Sequence, residues 1–204
     1  MQIIKQEAIS ALEQSKSTLA AGGIIVYPTE TVYGLGCDPS NRAAVERLYK
    51  LKNIPPDKPC LLVVASIEMA EEYGVFNDLA RGLVSKYWPG PLTMVVPVKS
   101  DCGLVSNLIN RTDQTVGLRW PAYKFAQDLS QAFGRPIVST SANLSGKATA
   151  FSLAEVELQF KGSVDQTDLM IDGGILPDVK PSTVVQVIDE KVEVLRQGEI
   201  TIQT

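Results

Sequence analysis

Apolar and polar positions along the chain switch repeatedly between a period of two and a helical period, and this alternation predicts an α/β fold. Residues 6–20 place Ile9, Leu12 and Leu19 among charged positions at helical spacing, and Gly22-Gly23 stops that helix before the strand IIVYP. Asp38-Pro39-Ser40 opens a second helix over 41–51, in which Val45, Leu48 and Leu51 share one face and Glu46 precedes Lys50 by one turn. That helix delivers Lys50 and Lys52 to its C-terminal end. Further strands are predicted at 60–65, 92–98, 115–120, 136–140, 168–172, 182–188 and 191–196, and helices at 67–73, 77–87, 122–133 and 152–160. Because the strands follow one another without a strict βα repeat, the pattern favours a twisted mixed sheet, parallel and antiparallel, flanked by helices.

No repeat, linker or low-complexity stretch divides the 204 residues, so residues 1–204 read as one domain. Apolar runs such as CLLVVASI and LTMVVPV fall far short of the roughly 20 residues that span a bilayer. MQIIKQEAISALEQ mixes charges into its apolar positions and does not read as a secretory signal, so a cytoplasmic location and no membrane partner are expected. Cys37, Cys60 and Cys102 are odd in number and far apart, which indicates buried small hydrophobes rather than a disulfide framework or a zinc site.

The most restrictive count is the absence of histidine. It excludes Ser-His-Asp and Cys-His nucleophilic catalysis, HExxH zinc hydrolysis and the usual proton shuttle near neutral pH. An enzyme built from this composition works by positioning and electrostatics, or through Lys, Arg, carboxylates, a metal or the substrate's own groups. A net charge of −4 also argues against a broadly basic, nucleic-acid-gripping surface and leaves room only for a local basic patch.

Chemistry-bearing residues gather in a few segments. In YPTETVYGLGCDP, 27–39, a strand runs into the hydroxyls of Thr29 and Thr31, the carboxylate of Glu30, and then Gly34 and Gly36, which permit close backbone approach to a ligand. A capped turn whose threonines bond their own backbone explains the same residues. KLKNIPPDKP, 50–59, brings Lys50, Lys52 and Lys58 into a proline-stiffened loop, suited to a polyphosphate or simply solvated. It is not a P-loop, because GxxxxGK[ST] occurs nowhere. PIVSTSANLSGKATA, 136–150, ends an apolar strand in Ser139, Thr140, Ser141, Asn143, Ser145 and Gly146, a donor-rich turn for an anion or ribose, or a capping loop. Arg119 and Arg196 each close an apolar strand and need a partner, either a substrate carboxylate or phosphate or an internal acid. Ser182-Thr183 starts STVVQV, and Trp88 in WPGPLTMVV reads as a packing aromatic.

Taken in order, YPTETVYGLGCDP, LKNIPPDKP, WPGPLTMVV, TVGLRWP, PIVSTSANLSG, IDGG, STVV and LRQG resemble the YrdC/TsaC family, the threonylcarbamoyl-AMP synthases, in their single-domain form and over nearly the whole chain. The resemblance implies a YrdC-like fold with a concave ligand cleft. It further implies nucleotidyltransfer: L-threonine, bicarbonate and ATP, with Mg2+ on the phosphates, give threonylcarbamoyl-AMP and pyrophosphate for the t6A37 modification of tRNA. By position, the family's threonine site falls on Thr31, Arg119, Ser139 and Ser182, with Arg119 pairing the amino-acid carboxylate. Its ATP site falls on Lys52, Lys58, Thr115, Ser141, Asn143, Thr149 and Arg196, with Lys52 and Lys58 nearest the phosphates. No side chain is implied as a covalent catalyst or a metal ligand. The implied partners are the substrates, downstream threonylcarbamoyl-transfer proteins and, at most weakly, tRNA.

Two positions depart from the family pattern. Lys52-Asn53-Ile54-Pro55 stands where the family usually reads Lys-x-Arg-Pro, which leaves Lys50 or Lys58 to supply the charge without a bidentate fork. Val179 stands where relatives often have glycine. The competing expectations are a paralogue of the same fold with another carbamoyl or adenylation substrate, and an RNA-binding module.

Overall fold

Ten strands form one mixed sheet among the residues described by the computed structural model, which are 2–110, 112–161 and 167–202. They are β1 (Gln2–Lys5), β2 (Ile25–Tyr27), β3 (Gly34–Cys37), β4 (Leu61–Val63), β5 (Leu92–Pro97), β6 (Thr115–Arg119), β7 (Ile137–Ser141), β8 (Leu169–Asp172), β9 (Thr183–Ile188) and β10 (Lys191–Arg196). Side by side they run β1-β8-β2-β3-β7-β4-β6-β5-β9-β10. The β1–β8, β2–β8, β4–β6 and β5–β9 pairs are parallel and the remaining pairs antiparallel, so the sheet is mixed, as the strand pattern predicts. The helices are α1 (Ala11–Ala20), α2 (Arg42–Lys52), α3 (Ile67–Tyr73), α4 (Asp78–Tyr87), α5 (Lys124–Phe133) and α6 (Leu153–Phe160).

Side-chain alternation along the strands decides where a site can form. One face of the sheet presents Val26, Leu35, Leu62, Met94, Val96, Val116, Leu118, Val138 and Val185 to the larger core, shared with Val45 and Leu48 of α2, Ala80 and Val84 of α4, and Val156 and Phe160 of α6. The opposite face is divided. Over β2, β7 and β8, its residues Ile25, Tyr27, Ile137, Leu169 and Ile171 pack against Leu19 of α1 and Ala126 and Leu129 of α5. Over β4, β6, β5 and β9, the alternate positions Leu61, Val63, Thr93, Val95, Thr115, Gly117, Arg119 and Val184 line a cavity instead. A strand such as TVGLR therefore reads core, core at its even positions and ligand-facing at its odd ones.

Three expectations need correction. The predicted helix over 6–20 begins only at Ala11: Gln2–Lys5 pair in parallel with β8, residues 6–10 turn, and Ile9 is fully exposed instead of facing inward. The pairing partner of β1 lies at the far end of the chain, so local periodicity could not reveal it. Asn41, not Asp38, caps α2, its Oδ1 accepting from Ala44 N at 3.1 Å, while Asp38 accepts from Ser40 N to build the preceding turn. Finally, GLGC is a central strand. A Cβ on Gly36 would stand 2.8 Å from Ile137 Cγ2 and 2.8 Å from Val138 O, and 2.9 Å from the Tyr27 ring, so this glycine admits an aromatic ring rather than a ligand. Trp88 packs as predicted, buried edge-on to Phe76 with its Nε1 donating to Leu92 O. Cys37 and Cys60 are buried, Cys102 only partly.

Candidate functional site

The cavity over the free half-face has a volume of about 610 Å³. Thr31, Arg119, Ser139 and Ser182 line it, and so do Lys52, Lys58, Thr115, Ser141, Asn143, Thr149 and Arg196, so the fold gathers every expected site residue around one space. They arrive from six segments: the β2–β3 connection, α2 with the loop after it, β6, β7 with its following loop, the residue before β9, and β10.

Arg119 is 6% exposed and held from three sides. Its Nε donates to Gly90 O at 3.3 Å, its Nη1 to Thr31 Oγ1 at 3.4 Å, and its Nη2 lies 2.9 Å from Glu30 Oε1. Of the partners raised by the sequence, the internal acid is present as Glu30, and the arginine also lines the cavity. Thr29 Oγ1 donates to Val32 O at 2.7 Å and accepts from the N–H groups of Thr31 and Val32, both at 3.2 Å, which fills its lone pairs. Thr31 Oγ1 accepts from Arg119 and keeps a second lone pair. At Ser139 the polarity is set by a neighbour. Tyr27, whose phenol burial pushes up to about 12, stays protonated and donates to Ser139 Oγ at 2.8 Å, leaving the serine proton free to donate.

A second group surrounds Ser182. Arg196 donates from Nη2 to Ser182 O at 2.8 Å and to Ser182 Oγ at 3.2 Å, and Thr93 Oγ1 is 2.9 Å from that hydroxyl. Burial, and after it the nearby Arg119, lowers the pKa of Arg196. The third group is built on Lys52. The last turn of α2 aims this side chain inward, 3% exposed, where Nζ donates to Ser141 O and, at 2.7 Å, to Asn143 O. Its bonding partners are neutral, and burial lowers its pKa from 10.5 to about 8. Asn143 in turn donates to Lys147 O at 2.6 Å, which shapes the loop after β7. Thr115 lines the cavity, and its buried Oγ1 has no protein hydrogen-bond partner among the described residues.

Among the described residues, Lys52, Lys58, Arg119 and Arg196 stand in the cavity wall and neither Asp nor Glu does, although the chain carries a net −4. A compact anion with both a carboxylate-sized and a polyphosphate-sized end meets complementary charge here. Of the two lysines expected to compensate for Ile54, Lys58 lines the cavity, whereas Lys50 is exposed and outside it. Sequence reasoning missed Thr93 and Gly117. The signal was present in the strand alternation, since LTMVVP puts Leu92, Met94 and Val96 in the core and leaves Thr93 facing the other way.

Residues 17–198 match the Sua5/YciO/YrdC family, described as "Telomere recombination". The chain belongs to the Sua5/YciO/YrdC family. It is 38% identical to the threonylcarbamoyl-AMP synthase of Psychromonas ingrahamii over 169 residues, which cover 81% of this chain and 86% of that one. The structure of Pyrococcus abyssi Sua5 complexed with L-threonine superposes with a TM-score of 0.86 at 31% identity, over 97% of this chain and 57% of that protein. Escherichia coli YciO superposes with a TM-score of 0.84 at 28% identity, over 97% and 93% of the two chains. The chain thus spans a little over half the length of Sua5 and most of YciO. In this member of the Sua5/YciO/YrdC family, Ile54 lines the cavity while packing against the core, and Val179 lies outside the lining with its N–H donating to Pro177 O at 3.0 Å. Among the described residues, no helix is long and apolar enough to cross a membrane.

Proposed function

We propose that this chain is a cytoplasmic L-threonylcarbamoyladenylate synthase, forming threonylcarbamoyl-AMP and pyrophosphate from L-threonine, bicarbonate and ATP for tRNA modification. The observation that carries the reading is one cavity holding a hydroxyl-lined arginine, Arg119, and a buried lysine on backbone carbonyls, Lys52, with no acid among the described residues of its wall. The relatives' name and the L-threonine in the Sua5 structure support it.

The chemistry asks for alignment rather than for a side-chain nucleophile. The α-carboxylate of threonine pairs with Arg119 and takes the Ser139 proton as a hydrogen bond, while the Thr31 lone pair receives an amine N–H. The amine, having lost a proton, forms a C–N bond to carbon dioxide derived from bicarbonate. A carbamate oxygen then attacks the α-phosphorus, the bond to the bridging oxygen breaks, and pyrophosphate leaves with the electron pair. Lys52 and Lys58 neutralise the phosphate oxygens, and the cavity holds both reactants at contact distance. The residues present do not fit a protein-held metal, because the wall offers hydroxyls and cations but no carboxylate, and no cluster of three ligating side chains occurs among the described residues. The Mg2+ that accompanies ATP enters as part of that substrate.

The test is pyrophosphate release from Mg-ATP with and without L-threonine and bicarbonate. Release that requires both is expected, and Arg119→Ala or Lys58→Ala abolishes it. Full activity in both variants would reject the site. ATP binding without threonine-dependent release would favour a paralogous substrate, the reading for which the apolar Ile54 speaks.

A further inference from the structure

Arg119 sits at the end of β6 in the cavity wall, and a buried guanidinium on a long flexible side chain has no reason of its own to hold one orientation. Gly90 O, Thr31 Oγ1 and Glu30 Oε1 supply acceptors on three sides. A guanidinium carries five N–H groups. Nε and Nη1 spend N–H groups on Gly90 O and Thr31 Oγ1, whereas Nη2, buried and without an aligned hydrogen bond, meets Glu30 Oε1 at 2.9 Å as an ion pair, so charge rather than a hydrogen bond joins the two side chains. Of the three acceptors only Glu30 carries charge, and it does not line the cavity: it stands behind the arginine.

The way Glu30 is held points to the same role. Its Oε1 also accepts from Ala122 N at 2.8 Å, which ties the carboxylate to the turn after β6, while Oε2 is buried without a hydrogen-bond partner. Keeping a carboxylate with an unsatisfied buried oxygen is costly and calls for a reason. The reason is electrostatic. Arg119 and Arg196 both line the cavity and repel each other, and with no acid among the described residues of the wall Glu30 is the ion-pair partner that offsets this repulsion before substrate arrives. One tripeptide, Thr29-Glu30-Thr31, thus places a charge behind the arginine and an oriented hydroxyl in front of it.

We propose that Glu30 is a positioning residue for the carboxylate of the amino-acid substrate, acting through Arg119. The role rests on the synthase reading, so the experiment separates the two. L-threonine and L-threoninamide, which lacks the carboxylate charge, are titrated calorimetrically into wild-type protein, Glu30→Gln and Glu30→Asp, with thermal midpoints and steady-state constants measured alongside. Wild type prefers threonine. In Glu30→Gln, which keeps an acceptor for Ala122 N but loses the charge, the threonine-to-threoninamide preference falls about tenfold, as does threonine affinity, by the scale of a lost charge-assisted contact. KM for threonine rises in parallel, while kcat at saturating threonine and KM for ATP stay near wild type. Glu30→Asp, a carboxylate set back by one methylene, falls between. An unchanged preference in both variants overturns the role, and so does an equal loss for both ligands accompanied by a lower midpoint, which marks a purely structural residue. If wild type binds no threonine, the synthase reading itself fails.

Discussion

Lys52 is the residue whose titration has two opposite consequences. Burial lowers its folded pKa from 10.5 to about 8. Between those values the unfolded chain binds more protons than the folded one, so this group makes the ligand-free protein more stable as pH rises through the window. Phosphate binding needs the ammonium form, so ATP affinity declines as pH climbs above about 8. Melting curves and nucleotide titrations of wild type and Lys52→Met on either side of that pH check both signs, with the variant lacking each slope. Parallel slopes in the two proteins would reject the assignment. At this scale the sequence was informative about residue types. It read lysines for phosphate, arginines in need of partners and hydroxyls at strand ends, and all of those retained as site residues line the cavity. Polarity was out of reach: that Ser139 keeps a proton to donate depends on Tyr27, and Tyr27 meets Ser139 only through strand pairing across β3.

Elements in this protein serve two masters on their two faces. In β6, Val116 and Leu118 belong to the core while Thr115, Gly117 and Arg119 form cavity wall. A Cβ at Gly117 would lie 3.5 Å from Leu61 Cβ and 3.9 Å from Thr93 Cγ2, ordinary contacts that the strand accommodates. Gly117→Val therefore folds with a thermal midpoint at or above wild type, since valine favours strand, yet raises the floor under the ligand and weakens nucleotide binding at least about tenfold. Differential scanning fluorimetry with and without ATP measures both; undiminished ATP stabilisation would show that the floor is not part of the site. Helix and strand positions were largely legible, and α3 and β10 fall where the periodicity put them. β1 and β3 were not. β1 is paired with β8 from the far end of the chain, and β3 is rich in glycine because Tyr27 covers it, so neither carries a strong local β signal.

At the scale of the whole molecule, two of the four cations that line the cavity among the described residues, Lys52 and Arg119, are buried inside a chain of net −4, which turns part of the positive charge inward. The expected outcome is weak tRNA retention that is lost near about 0.15 M salt while ATP retention persists; filter binding at increasing salt tests this, and tight salt-resistant retention of tRNA would restore the RNA-binding alternative. The sequence by itself determined the class of sheet, the alternation that sorts core from ligand-facing positions, the exclusion of histidine chemistry and the residues able to meet a carboxylate or a phosphate. These follow from local period and side-chain chemistry, which need no knowledge of what lies opposite. Only the tertiary structure decided that α1 and α5 cover one half of a sheet face and leave the other half to a cavity, that Glu30 stands behind Arg119, and that Lys52 turns inward while Lys50 does not. Those outcomes depend on strand order and on contacts between residues distant in sequence, and only the assembled sheet brings such residues together.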